Sequence, residues 1–187
     1  MSSESTPRFT AFAGFQRIAA GTRSQVIDAL RQRPDADPSV FVFDDATGEP
    51  IDLDLRDNAP GEPVPTADEP PSRGVGRPKL GVVAREVTLL PRHWDWLNRQ
   101  PGGASVALRK LVEDARRVNA DRDTVRAARE ATYRFMSAIA GHLPGFEEAA
   151  RALFADERER FDALVAPWPD DVPEHLRTLS APAWSTP

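Results

Sequence analysis

Residues 74–117 read GVGRPKLGVVAREVTLLPRHWDWLNRQPGGASVALRKLVEDARR, and how this stretch folds decides how the rest of the chain is understood. Leu80 to Leu90 is β-branched and aliphatic with a mild alternation, a pattern that predicts a short strand. Pro91 then opens a helix, because a first helical position has no use for the N–H that proline lacks. Trp94 and Leu97 fall one turn apart on a single face of it. Pro101, Gly102 and Gly103 end that helix, and a second one is expected from Ser105 as N-cap. It places Leu108, Leu111, Val112 and Ala115 on one side and Arg109, Lys110, Arg116 and Arg117 mostly elsewhere.

Charge sets this stretch apart from its flanks. The chain of 187 residues has a formal net charge of −5, yet residues 73–118 hold ten basic against four acidic residues, a local balance of +6. Residues 1–72 balance at −7 and residues 119–187 at −4. A basic island between acidic flanks is the electrostatic footprint of a polyanion-binding surface. The opposing fact is that arginine supplies nearly all positive charge throughout this chain, so an ordinary solvated basic face gives the same count.

Outward from the island, residues 58–78 read as a disordered, basic and proline-rich linker, with few bulky apolar groups to bury. Residues 1–57 read as a small ββαββ domain. FTAFAGFQRIAAG turns near Gly14, Thr22 caps a helix with Val26, Ile27 and Leu30 inward, and FVFDDATGEPIDLDL forms a second hairpin. Asp44, Asp45, Asp52 and Asp54 there form either a hard-oxygen cation site or, as the reading adopted, the solvated face of a sheet with no metal. Residues 119–166 read as a helical hairpin, with Val125, Ala128, Thr132, Phe135, Met136 and Ile139 on one stripe and a partner helix after Gly145. Residues 167–187 read as a mobile tail. The fold class expected is therefore α+β, with a small ββαββ domain, a proline-rich linker, a strand–helix–helix segment over 79–118 and a C-terminal helical hairpin.

Catalysis finds little footing. The chain has no cysteine, which removes disulfides, thiolate chemistry and cysteine-ligated zinc together. His93, His142 and His175 stand apart with no acidic or histidine neighbour at metal-ligand spacing, and no phosphate-binding glycine loop or nucleophile elbow occurs. Nothing approaches a membrane-spanning apolar run, and MSSESTPRF lacks the makings of a secretory signal, so a cytoplasmic protein is expected. The reading is of a non-enzyme with no cofactor.

The order strand, short helix, glycine turn, longer helix resembles the ribbon-helix-helix family of DNA-binding proteins. That resemblance implies an obligate homodimer whose paired strands enter the major groove, with the start of the second helix on a phosphate. The free N–H groups of Gly103, Ala104 and Ser105 would serve as that anchor. The strand departs from the family pattern: with Leu90 and Thr88 inward, Leu89 and Val87 face outward and Arg85 alone is a polar reader. The shifted register offers Glu86 to the phosphates instead. Gly76, Arg77 and Pro78, with Lys79 beside them, resemble the core of an AT-hook, whose arginine enters a narrow minor groove.

Over the whole chain, the long central motif is similar to the bacterial domain-of-unknown-function 2239 family, a likeness that implies a bacterial, cytoplasmic protein and no particular activity. The expected function is a dimeric, non-enzymatic DNA-binding protein, a transcriptional regulator among its readings, using Arg77, Lys79, Arg85, Gly103, Ala104, Ser105 and Arg109. The alternative is a protein-interaction or dimerisation module without DNA binding, whose acidic N-terminal domain meets a protein partner.

Overall fold

The computed structural model describes residues 7–33, 40–53, 83–169 and 171–184. The chain divides into two compact units, one of Met1–Arg56 with Val118–Pro187 and one of Asp57–Arg117. It is a mixed α+β protein, with a small antiparallel sheet followed by helices.

The first unit begins with strands β1 (Phe9–Ala13) and β2 (Gln16–Gly21), joined at Gly14, whose φ of 58° suits the tight turn. Helix α1 (Arg23–Arg31) starts where Thr22 accepts from the Gln25 N–H and Gln25 bonds back to the Thr22 N–H, a reciprocal capping box. Strands β3 (Val40–Asp44) and β4 (Pro50–Ile51) complete a four-stranded sheet of order β2-β1-β3-β4. β1 is paired along both edges, and both of its faces are covered as well. Ala11 joins Val26, Val42 and Leu53 in one apolar cluster, whereas Phe12 on the alternate face joins Phe43 in the main core.

Helices α2 (Pro91–Asn98), α3 (Gly103–Ala140), α4 (Phe146–Phe154), α5 (Arg158–Val165) and α6 (Val172–Ser180) follow, with a 3-10 turn at Ala181–Trp184. The main core of the first unit gathers Phe135, Met136 and Ile139 from α3, Leu153 from α4, Phe161 and Val165 from α5, and Val172, Leu176 and Leu179 from α6 against Phe12 and Phe43. Phe12, Phe43 and Phe135 pack mutually, with ring centroids 4.9 to 6.4 Å apart. The indole N–H groups of Trp168 and Trp184 donate to the Pro144 carbonyl (3.0 Å) and Ser180 Oγ (3.2 Å), so neither ring is packed at the expense of a lost hydrogen bond.

Four expectations are corrected. Val83 to Leu90, the described part of the expected strand, forms no strand and pairs with none among the described residues. The helix expected from Ser105 and the first helix of the hairpin expected over 119–166 are one continuous helix, α3, because nothing between Arg116 and Arg122 breaks helical geometry. The single partner helix after Gly145 is two, α4 and α5, separated where Asp156 takes a left-handed φ of 65°. The expected mobile tail beyond Pro167 instead places Trp168, Val172, Leu176 and Ala183 in buried positions, with Pro173 in the first turn of α6.

Candidate nucleic-acid interface

The basic island lies in the second unit. Arg85 sits exposed on the segment Val83–Leu90, which is neither helix nor strand. α2 starts at Pro91 with no side-chain cap; the N–H groups of His93 and Trp94 donate to the Leu90 carbonyl instead. It ends at a turn in which Gly102 (φ 85°) and Gly103 (φ 75°) are both left-handed, a conformation two consecutive side chains rarely share. A Cβ on Gly102 would also press on Val106 at 3.1 Å. α3 begins at Gly103, so Ser105 lies inside its first turn and is not the cap that its sequence position suggested. The Gly103 N–H is already used, donating to the Gln100 carbonyl at 2.9 Å, which shrinks the expected phosphate anchor at Gly103, Ala104 and Ser105. Arg109 is exposed on the second turn of α3. Arg77 and Lys79 lie outside the described residues.

What distinguishes this unit is how its cations are employed. Arg85, Arg92, Arg99, Arg109 and Lys110 are exposed and have no ion-pair partner among the described residues. Arg116 and Arg117 make only loose pairs one turn back, with Glu113 at 3.5 Å and Asp114 at 3.7 Å. In the first unit most arginines are engaged. Arg129 bonds Asp156 at 2.7 Å and the Ala183 carbonyl, Arg134 bonds the Thr47 carbonyl, and Arg17, Arg126 and Arg160 each hold a carboxylate at about 3 Å. Between α2 and α3 of the second unit runs a groove of about 280 Å³ lined by Leu89, His93, Trp96, Leu97, Leu108 and Leu111.

The first unit hides a polar pair that sequence spacing did not bring together. His175 of α6 is buried edge-on between Phe12 and Phe135, with centroids 5.3 and 4.5 Å away. Its Nε2 faces Asp45 Oδ1 at 3.9 Å, and neither atom has a hydrogen-bond partner. Burial pushes the His175 pKa down to about 4, helped by the Arg17 charge and opposed by Glu174. Burial also raises the Asp45 pKa, against a hydrogen bond from Thr10 and the charge of Arg8. The clue in the sequence was that His175 shares the inward stripe of α6 with Val172, Leu176 and Leu179. Asp44, by contrast, accepts from the N–H groups of Ala46 and Thr47 and stabilises its own turn. Among the described residues, no group of three or more histidine, aspartate or glutamate side chains is placed to hold a metal ion.

Residues 8–180 match the family profile described as "Uncharacterized protein conserved in bacteria (DUF2239)". The chain belongs to this family. The match takes in the sheet, the second unit and helices α3 to α6, so both units are family features. No curated protein and no solved structure matches the chain. The ribbon-helix-helix likeness finds no support in the family assignment or in the fold, since Val83–Leu90 makes no strand. Among the described residues no helix is long and apolar enough to cross a membrane.

Proposed function

We propose that this family member is a non-enzymatic DNA-binding protein whose second unit contacts the phosphate backbone through helix-borne cations. The observation that carries this reading is the set of exposed, unpaired cations Arg85, Arg92, Arg99, Arg109 and Lys110. A cation already held by a carboxylate must give up that partner to meet a phosphate, whereas a free one releases only counterions. Contacts of this kind position a protein on the duplex and carry no sequence information themselves. Arg77 and Lys79, a few positions before Arg85 in sequence, add to the same charge. A transcriptional role in the cytoplasm is the cellular setting that fits such a protein.

The test is a double substitution, Arg109→Ala with Lys110→Ala, read by duplex binding across a salt series. Loss of two phosphate contacts lowers the steepness of log affinity against log salt by about 2. An unchanged slope removes these residues from the interface. A second reading, a protein-interaction module without DNA binding, is favoured by the apolar groove beside these cations, whose lining holds no arginine or lysine.

A further inference from the structure

Resting on the DNA reading above, we propose that the form of DNA this surface takes best is the single strand, with a base in the groove between α2 and α3 and the phosphates on the cations beside it. Arg92, Trp96 and Arg99 are spaced i, i+4 and i+7 on α2, so they share one stripe of the helix. All three are exposed, Trp96 at 51%. His93 and Leu97 lie on the adjoining stripe and line the groove together with Trp96. Trp96 therefore stands at a border: it is part of the groove wall and part of the row of cations. An indole held half open between two arginines is a ready surface for a flat ring that carries a phosphate on either side.

Charge and shape select the single strand over the duplex. Between Leu89 and Leu111, the span that supplies the groove, the charged residues are Arg92, Asp95, Arg99, Arg109 and Lys110, four basic to one acidic. Asp95 makes no ion pair with Arg92 or Arg99 among the described residues, so both arginines are free to meet phosphates. The groove itself holds no arginine or lysine and offers leucines, His93 and Trp96. A ligand that uses the whole surface must be anionic along the rim and flat and apolar where it enters. A duplex meets only the first condition, because its bases are stacked inside the helix and cost energy to turn out. A single strand meets both: cations track its backbone while its unstacked bases lie against aromatic side chains. The groove volume of about 280 Å³ falls just below the roughly 300–1,000 Å³ of pockets that hold drug-sized molecules, which suits one base and not a longer insert.

The experiment is binding of the full chain, read by fluorescence anisotropy at one low salt concentration, to a labelled mixed-sequence DNA strand of about sixteen nucleotides and to the duplex formed from it. The strand is expected to bind about tenfold more tightly than the duplex. Trp96→Ala is expected to weaken strand binding by about tenfold, the effect of losing one stacked base, and to leave duplex binding unchanged. Trp96→Phe keeps a stacking ring and should restore most of the strand affinity, which a purely structural loss at this position would not track. Duplex binding equal to or tighter than strand binding overturns the inference and leaves the proposed function standing. Binding of neither form removes both. A strand affinity that Trp96→Ala leaves unchanged overturns the inference as well, as does a loss that falls equally on strand and duplex and that phenylalanine does not restore. Tighter binding of the RNA strand of the same sequence overturns the choice of DNA.

Discussion

The same helix supplies both units, and its two ends are treated in opposite ways. From Ala128 to Ala140, α3 buries Thr132, Phe135, Met136 and Ile139 in the core of the first unit. From Gly103 to Arg117, its apolar residues Leu111 and Val112 stay about half exposed. The cations follow the apolar groups. Arg129 and Arg134 are tied to carboxylates and backbone carbonyls, whereas Arg109 and Lys110 have no partner among the described residues. A segment whose charges and apolar groups are both left unsatisfied in the single chain is suited to contact other molecules. A segment that has satisfied both is suited to hold a fold. This contrast supports reading the second unit as the contacting part of the protein and the first as its stable body.

The largest effect that sharpens the contrast is in the first core. Phe135 is fully buried and meets Phe12, Phe43 and His175, so Phe135→Ala should destabilise the protein by about 3–5 kcal/mol in denaturant unfolding. A loss below about 1 kcal/mol would show that this core is looser than its packing indicates. Next in size is the buried imidazole. His175 has its pKa lowered from 6.5 to about 4, so folding disfavours its protonated form. The stability concerned is fully present above about pH 6.5 and is lost as pH falls through about 4, a change of about 3 kcal/mol. The raised Asp45 pKa acts the other way, returning stability as that carboxyl takes up its proton. Arg17, Glu174, Arg8 and Asp44 are the other charges that bear on the pair. His175→Phe keeps the aromatic packing and should flatten the acid limb of the stability–pH curve; an unchanged limb would assign it to other groups.

Gly48 gives a smaller effect of a different kind. It holds a φ of 68° in the turn after β3, and a Cβ there would collide with the Ala131 carbonyl of α3. Gly48→Ala should therefore cost about 1–3 kcal/mol by strain and displacement, measured as a lowered denaturation midpoint. Gly103, with a φ of 75° and open space where its Cβ would be, should lose less on the same change. Equal losses at the two glycines would mean that the close approach at Gly48 relaxes freely.

Much of the first unit was legible in its sequence, because local rules and tertiary packing agree there. Gly14 marks the first turn, Thr22 caps α1, and the stripe from Ala128 to Ile139 is the face that α3 buries. The C-terminal part was less legible. Its prolines look like punctuation of a loose tail, but Pro173 lies in the first turn of a helix whose inward face completes the core. The break at Asp156 was hidden because a left-handed aspartate has no fixed sequence signature, and here its carboxylate is held by Arg129 at 2.7 Å. His175 and Asp45 meet across 130 positions of sequence, a distance no spacing rule spans.

In the candidate interface, the basic island could be counted from the sequence, but whether its arginines were free or paired could not. The segment Val83–Leu90 has the β-branched composition of a strand, and composition alone does not supply the neighbouring edge that a strand needs. Gly103 was expected to offer its N–H to a phosphate; the tight glycine turn returns that N–H to Gln100. The location of the site was thus readable, while the way its groups are used depended on the fold.

The measurement closest to the central claim is the affinity of the intact protein for mixed-sequence duplex DNA as a function of salt. Five free cations on the described part of the second unit predict binding that weakens steeply with salt, with a log–log slope of up to about −4.5 per copy. Absence of binding at low salt, or binding whose strength ignores salt, would contradict the account and leave the second unit as a surface for protein contacts alone.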